Sequence, residues 1–140
     1  MLTYLDSTET ITAEQLQGFF TDWLHQPSPE ALLRILNGSA EIVLAFDPQE
    51  QRVVGYITAI SDGVSCAYIP HLEVLPARRG QGIGTELVRR MLHKLRHLYM
   101  IDLMCDPEVQ PFYARLGLHD STGMVVRNFD RQRCDEIEPS

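Results

Sequence analysis

Gly80, Gly82 and Gly84 stand between a β-rich run, Leu72-Glu73-Val74-Leu75, and a helix-like run from Thr85 to Leu92. Glycine admits positive φ and lets a ligand come close to the backbone. The first turn of a helix leaves N–H groups unpaired at the positive end of its dipole. Together these make a socket for an anion, and a nucleotide-like cofactor suits it. One helix end stabilises an anion by only about 0.3–2 kcal/mol, so several N–H groups must act at once.

Two common nucleotide loops fit badly. A dinucleotide fingerprint wants its third glycine three residues past the second, whereas Gly84 follows Gly82 by two, and no acidic strand end comes at the right distance. A Walker-type loop ends in Gly-Lys-Ser/Thr, whereas Ile83-Gly84-Thr85 has no lysine. The run Val74-Leu75-Pro76-Ala77-Arg78-Arg79-Gly80-Gln81-Gly82-Ile83-Gly84 instead resembles the acetyl-CoA signature of the GNAT superfamily of N-acetyltransferases, with Arg79, Gly82 and Gly84 at its Gln/Arg-x-x-Gly-x-Gly/Ala positions. Downstream, Pro111-Phe112-Tyr113-Ala114-Arg115-Leu116-Gly117-Leu118 is similar to that family's Phe-Tyr-x-x-x-Gly-Phe helix, with Leu118 in place of the usual Phe. The resemblance covers residues 1–129.

The resemblance implies a site. Backbone N–H groups of Gly80, Gln81, Gly82, Ile83, Gly84 and Thr85, following Arg79, would hold the pyrophosphate of acetyl-CoA. The strand before the turn would splay from its neighbour at a bulge, and the free backbone groups around Leu72 and Val74 would pair with pantetheine. Tyr113 matches the tyrosine that serves as general acid. A phenol of pKa about 10 can donate a proton to a departing thiolate without being ionised at neutral pH.

The base is harder to read. In relatives with an identified strand base it lies four or six positions before the residue matching Val74, and those places hold Pro70 and Tyr68. His71 and Glu73 have the opposite strand parity and face away unless a bulge turns them. Glu73 is the side-chain candidate, with a water relay as its rival. Asp106, where the family often has Asn, reads as an N-cap before Pro107. Cys105 ends a strand near the site with nothing to mark it as activated, so direct transfer in a ternary complex is expected. His93 and His97 are four apart but have no further metal ligand placed near them, and they read as a solvated helix face.

These residues need a frame. At 140 residues, 44% apolar and 22% charged, the chain predicts one globular domain. Residues 1–129 form that domain and 130–140 a polar, loose tail. A capping box at Thr12-Ala13-Glu14-Gln15 opens an amphipathic helix carrying Leu16, Phe19, Phe20, Trp23 and Leu24. Ser28-Pro29 opens a second helix, which stops at Asn37-Gly38. Residues 42–46, 53–60 and 66–75 read as consecutive antiparallel strands. Residues 85–95 form an amphipathic helix, 99–105 a strand, 107–116 a helix ended by Gly117, and 124–129 a last strand. The opening strand, 2–5, completes a mixed α/β domain with a GNAT-like fold: a central mixed sheet with splayed strands and helices on both faces.

A net charge of −7 disfavours nucleic acid and suits a cationic acceptor such as an amine. Cys66, Cys105 and Cys134 have no disulfide or zinc spacing. No apolar run is bilayer-sized and the first ten residues lack a secretory pattern, so no membrane partner and a cytoplasmic location are expected. The expected activity is transfer of acetyl from acetyl-CoA to a primary amine, on a small molecule or a peptide, by an enzyme for which a homodimer would suit the family. The alternative is a CoA-binding module without turnover.

Overall fold

The computed structural model describes residues 1–137. The last three residues of the expected tail, 138–140, lie outside the described residues. The elements run β1 (Thr3–Leu5), α1 (Pro29–Gly38), β2 (Glu41–Asp47), β3 (Arg52–Ser61), β4 (Cys66–Ile69), β5 (Leu72–Val74), α2 (Ile83–Lys94), β6 (Met100–Leu103) and α3 (Gln110–Ala114). They build a six-stranded mixed sheet in the order β1-β2-β3-β4-β6, with β5 also beside β3. All pairings are antiparallel except β4 with β6. The expected mixed α/β architecture with helices on both faces is what the chain adopts.

α2 lies across β2, β3 and β5. It comes so close at Gly55 that a Cβ there would stand 3.2 Å from both Ile83 and Leu87. The opposite face of β3 carries Tyr56, fully buried against Phe19 and Phe20. On that side a 3-10 turn, Ala13–Leu16, packs against β3 and α1. α1 starts as its caps dictate, with Pro29 in the first turn and Ser28 Oγ accepting from Ala31 N at 3.1 Å.

The run expected as one strand, 66–75, is two. β4 pairs Tyr68 with Ile60, whereas β5 pairs Leu72 with Ile57, and His71 O accepts from Thr58 N. Ile69 and Pro70 therefore stand against Ala59 alone, a bulge at a proline that has no N–H for the ladder. β6 follows β4 up to the Ile69–Leu103 pair and does not follow β5. The sheet opens there into a wedge.

Three other expectations are corrected. The first amphipathic helix is a single 3-10 turn. Gly18, at φ 95°, and Phe20, at φ 63°, break it, because Phe19 and Phe20 reach the core only by leaving the helical path. A Cβ at Gly18 would lie 3.1 Å from Leu75. The expected last strand, 124–129, forms no ladder, and Met124 and Val126 are 99% and 82% exposed. The tail is not loose over its described part: it holds a 3-10 turn at Phe129–Arg131, and Gln132 Oε1 and Cys134 O accept from His25 N (2.9 Å) and Arg34 Nη2 (2.6 Å).

Candidate active site

The turn before α2 has the conformation its glycines permit. Gly80 and Gly82 sit at φ 78° and 84°, where an L side chain is strained. Gly82 caps α2, and Glu86 N bonds back to Gly82 O at 3.1 Å. Among the described residues, no backbone acceptor meets the N–H groups from Gly80 to Thr85. Nothing lies within 4 Å of where Cβ atoms at Gly80 and Gly82 would be, so the cradle opens to solvent. It can accept an anion through main-chain donors alone.

β5 presents an open edge next to this cradle. Leu75 N bonds Val54 O, and Thr58 N bonds His71 O. Glu73 stands opposite Tyr56. Alternation along an antiparallel pair then aims the backbone groups of Leu72 and Val74 outward, into the wedge. One of them is occupied by the chain itself: Arg79 Nε donates to Val74 O at 3.3 Å. Gly84 joins the parts, since a Cβ there would touch Phe112 at 3.7 Å and Val74 at 3.8 Å.

Glu73 faces away from α2, as its strand parity requires. That side is not bare solvent. Glu73 Oε1 accepts from Phe20 N at 2.7 Å and Oε2 from Tyr56 Oη at 3.3 Å. Phe20 stacks on Trp23 (centroids 4.7 Å apart), and His71 lies 6.0 Å from Phe20 and 6.3 Å from Trp23. Burial raises the Glu73 carboxyl above its usual value, outweighing the two hydrogen bonds and the Arg79 charge that lower it. Burial likewise depresses His71 and raises the Tyr56 phenol strongly. Tyr56 thus stays a donor to Glu73.

Tyr113 stands on α3, its ring edge-on to Phe112 at 4.9 Å. Burial, with a smaller contribution from Cys105, pushes its phenol up to about 12. It is protonated at neutral pH. Cys105 follows β6 on the far lip of the wedge, and burial followed by Asp106 and Glu108 raises its thiol, the opposite of an activated nucleophile. Asp106 occupies the predicted cap position, but its side chain makes no capping bond. The structure brings together the glycine turn, Val74 and α3. No hydrogen bond links Glu73 to Tyr113 among the described residues.

A family model for the acetyltransferase (GNAT) family matches residues 8–118, spanning the glycine turn, the wedge and α3. The chain belongs to the GNAT acetyltransferase family. A crystal structure of a Deinococcus radiodurans protein assigned as an acetyltransferase superposes on this GNAT chain with a TM-score of 0.91 and 45% identity, over 94% of this chain and 92% of that one. A GNAT family acetyltransferase from Streptococcus pneumoniae gives a TM-score of 0.73 at 30% identity, over 91% and 98% of the two chains. An uncharacterized N-acetyltransferase, ycf52, of Gracilaria tenuistipitata is 29% identical over 68% of this chain, and the match spans 54% of that relative's length.

Several residues of the candidate site had no sequence signal of their own. Arg78, in the 3-10 turn before the glycines, donates to the well-buried Asp47 at 2.9 Å, and Asp47 also accepts from Gln49 N and Glu50 N. This ties the glycine turn to the β2–β3 hairpin. Only Asp47-Pro48 as a turn was legible there. Phe20 and Tyr56 read as core, and their hydrogen bonds to Glu73 required the fold. His97 lies beyond the end of α2 at Lys94, so it does not share a helix face with His93.

A cavity of about 440 Å³ lies on the far flank of α2, lined by Tyr4, Asp6, Glu86, Arg90, His93 and Lys94 among others. It touches neither the glycine turn nor Glu73. Two of its cations already have partners: Arg90 bonds Glu86 at 2.7 Å and stacks over Tyr4, and Lys94 reaches Asp6 at 3.2 Å and Glu41 at 3.5 Å.

Proposed function

We propose that this chain transfers the acetyl group of acetyl-CoA directly to a primary amine. The observation that carries this reading is the continuity of the outward backbone groups of Leu72 and Val74 with the unpaired N–H groups of residues 80–85, following Arg79. An extended ligand with an amide arm and a diphosphate at its end matches that series of donors and acceptors. Arg79 would leave Val74 O as the pantetheine arm pairs there.

Glu73 takes a proton from the acceptor ammonium, which leaves a neutral amine. Its nitrogen attacks the thioester carbonyl, the C–N bond forms, the C–S bond breaks as Tyr113 gives its proton to the departing sulfur, and the second proton of the amine nitrogen passes to solvent water to leave the neutral amide. Solvent then restores both groups. The raised thiol of Cys105 supports direct transfer over an acyl-enzyme. No helix among the described residues is long and apolar enough to cross a membrane, and a cytoplasmic location goes with this reading. Nucleic acid does not fit it, and the acceptor is an amine on a small molecule or a peptide.

The test is release of free CoA thiol from acetyl-CoA across a panel of small amines and amino-terminal or lysyl peptides. Turnover with at least one acceptor, and its loss in Tyr113→Phe, is the expected result. Tight binding of CoA with no acceptor-dependent thiol release would make the chain a CoA-binding module instead.

A further inference from the structure

α2 packs mainly on β2, β3 and β5, and it leaves β1, the edge strand beyond β2, largely uncovered. Tyr4 rises on the helix's side of the sheet. It pairs with Ala45, which pairs with Gly55, where α2 comes close to the sheet. Val43 has the same parity as Ala45 and is buried. The gap between edge strand and helix is the cavity of about 440 Å³, a ligand-sized space floored by Tyr4, Leu5 and Val43.

The helix supplies the polar wall. Glu86, Arg89, Arg90, His93 and Lys94 lie three and four residues apart along one stripe of α2, beside the stripe that buries Leu87 and Met91. Their internal pairing is uneven. Both lining carboxylates are taken: Glu86 by Arg90, whose guanidinium also stacks 4.4 Å over the Tyr4 ring, and Asp6 by Lys94. Among the described residues, the side chains of Arg89 and His93 and the phenol of Tyr4 have no hydrogen-bond or ion-pair partner. Burial, and then the charge of Glu86, raise the Tyr4 phenol, which keeps it a donor at neutral pH.

What the wall has to spare is therefore donors, one of them a permanent cation. A cationic guest would meet no uncommitted carboxylate here, although the chain carries a net charge of −7. An anion, repelled by the acidic surface at large, is collected at Arg89. A phosphate monoester would bring two charges to a wall with one uncommitted guanidinium. A bare inorganic anion would leave the apolar floor unused.

We propose that the cavity between β1 and α2 binds a small monocarboxylate with a compact apolar body, its carboxylate on the Arg89 guanidinium beside His93 and its body against Tyr4 and Val43. A planar guanidinium matches a carboxylate with two parallel N–H bonds. The inference is independent of the acetyl-transfer reading, because the cavity touches neither the glycine turn nor Glu73.

Amide-resolved NMR titration of the whole chain with sodium benzoate, at constant ionic strength, tests it. Saturable shifts are expected at residues 4–6, 43 and 86–94. Acetate, which lacks the apolar body, and benzamide, which lacks the charge, are each expected to bind at least about tenfold more weakly. Arg89 is exposed, so Arg89→Ala should fold as the wild type does while losing about tenfold in benzoate affinity, and Arg89→Lys, which keeps the charge without the fork, should fall between the two. Absence of saturable shifts with benzoate overturns the inference. So does an equal response to acetate or benzamide, an Arg89→Ala variant that binds benzoate unchanged, or benzoate shifts centred on residues 80–85, which would give the anion to the glycine turn instead.

Discussion

The backbone N–H of Phe20 donates to the carboxylate of Glu73 at 2.7 Å across fifty-three residues of sequence. Phe20 holds this position in the left-handed region, φ 63°, a strained conformation for a bulky side chain. The strain is offset by the hydrogen bond and by the rings of Trp23, Tyr56 and His71 around it. The loop before α1 is thereby fastened to the strand that borders the wedge, and Glu73 is held by donors on both oxygens.

Replacing Glu73 by Gln keeps an acceptor for Phe20 N and removes the proposed base. The rate with saturating amine is expected to fall by about 10²–10⁴, with little change in affinity for CoA measured by calorimetry. In the wild type, the acid limb of the pH–rate profile should lie above the ordinary glutamate range, because burial disfavours the charged form. The stability consequence has a definite sign. A carboxyl with a raised folded-state pKa contributes most below its unfolded value, and that contribution is lost as pH rises through the folded value. Urea denaturation from acid to neutral pH should therefore show Glu73→Gln gaining on the wild type as pH increases. An advantage that shrinks with pH would contradict the burial of this carboxylate.

Tyr56→Phe removes the donor to Glu73 Oε2 without emptying the core. The lost bond lowers the Glu73 pKa in the wild type, so the acid limb should move to still higher pH in the variant. A change of about 1 kcal/mol in unfolding free energy is expected from one hydrogen bond. Tyr56 is a positioning residue, and an unshifted limb alongside a lower rate would assign its effect to packing alone.

Tyr113→Phe keeps the ring against Phe112 and deletes the proposed proton donor. A fall in kcat of about 10²–10⁴ is expected with KM for acetyl-CoA nearly unchanged. The basic limb of the wild-type profile should lie high, since the phenol is pushed up to about 12. Steady-state kinetics over pH separates this from a structural effect, which would move both parameters and the melting temperature.

Gly82 and Gly84, two residues apart in sequence, make a paired test. Gly82→Ala forces an L residue to φ 84°, with no neighbour for the methyl to strike. It should cost about 1–2 kcal/mol of stability through the backbone alone and weaken CoA binding. Gly84→Ala adds a methyl in ordinary contact with Phe112 and Val74, so its unfolding free energy should change by less than that. Equal losses in thermal unfolding would mean that the cradle is not held by its left-handed residues.

The local conformation of part of the candidate site was readable from local rules. Glycines at a strand-to-helix junction, Ser28-Pro29 opening α1, and the β-rich runs of the hairpin are each set by φ preference, capping and alternation over a few neighbours, and they fold as their own chemistry demands. What tertiary structure decided lies where distant groups compete with local preference. The amphipathic pattern from Leu16 to Leu24 gave way because Phe20 N–H found a better acceptor in Glu73 and both phenylalanines found the core. Pro70 divided a strand that its residue types would have continued, and that bulge opened the wedge. The run 124–129 has strand composition but no strand, because a ladder needs a free edge brought alongside it and composition cannot bring one.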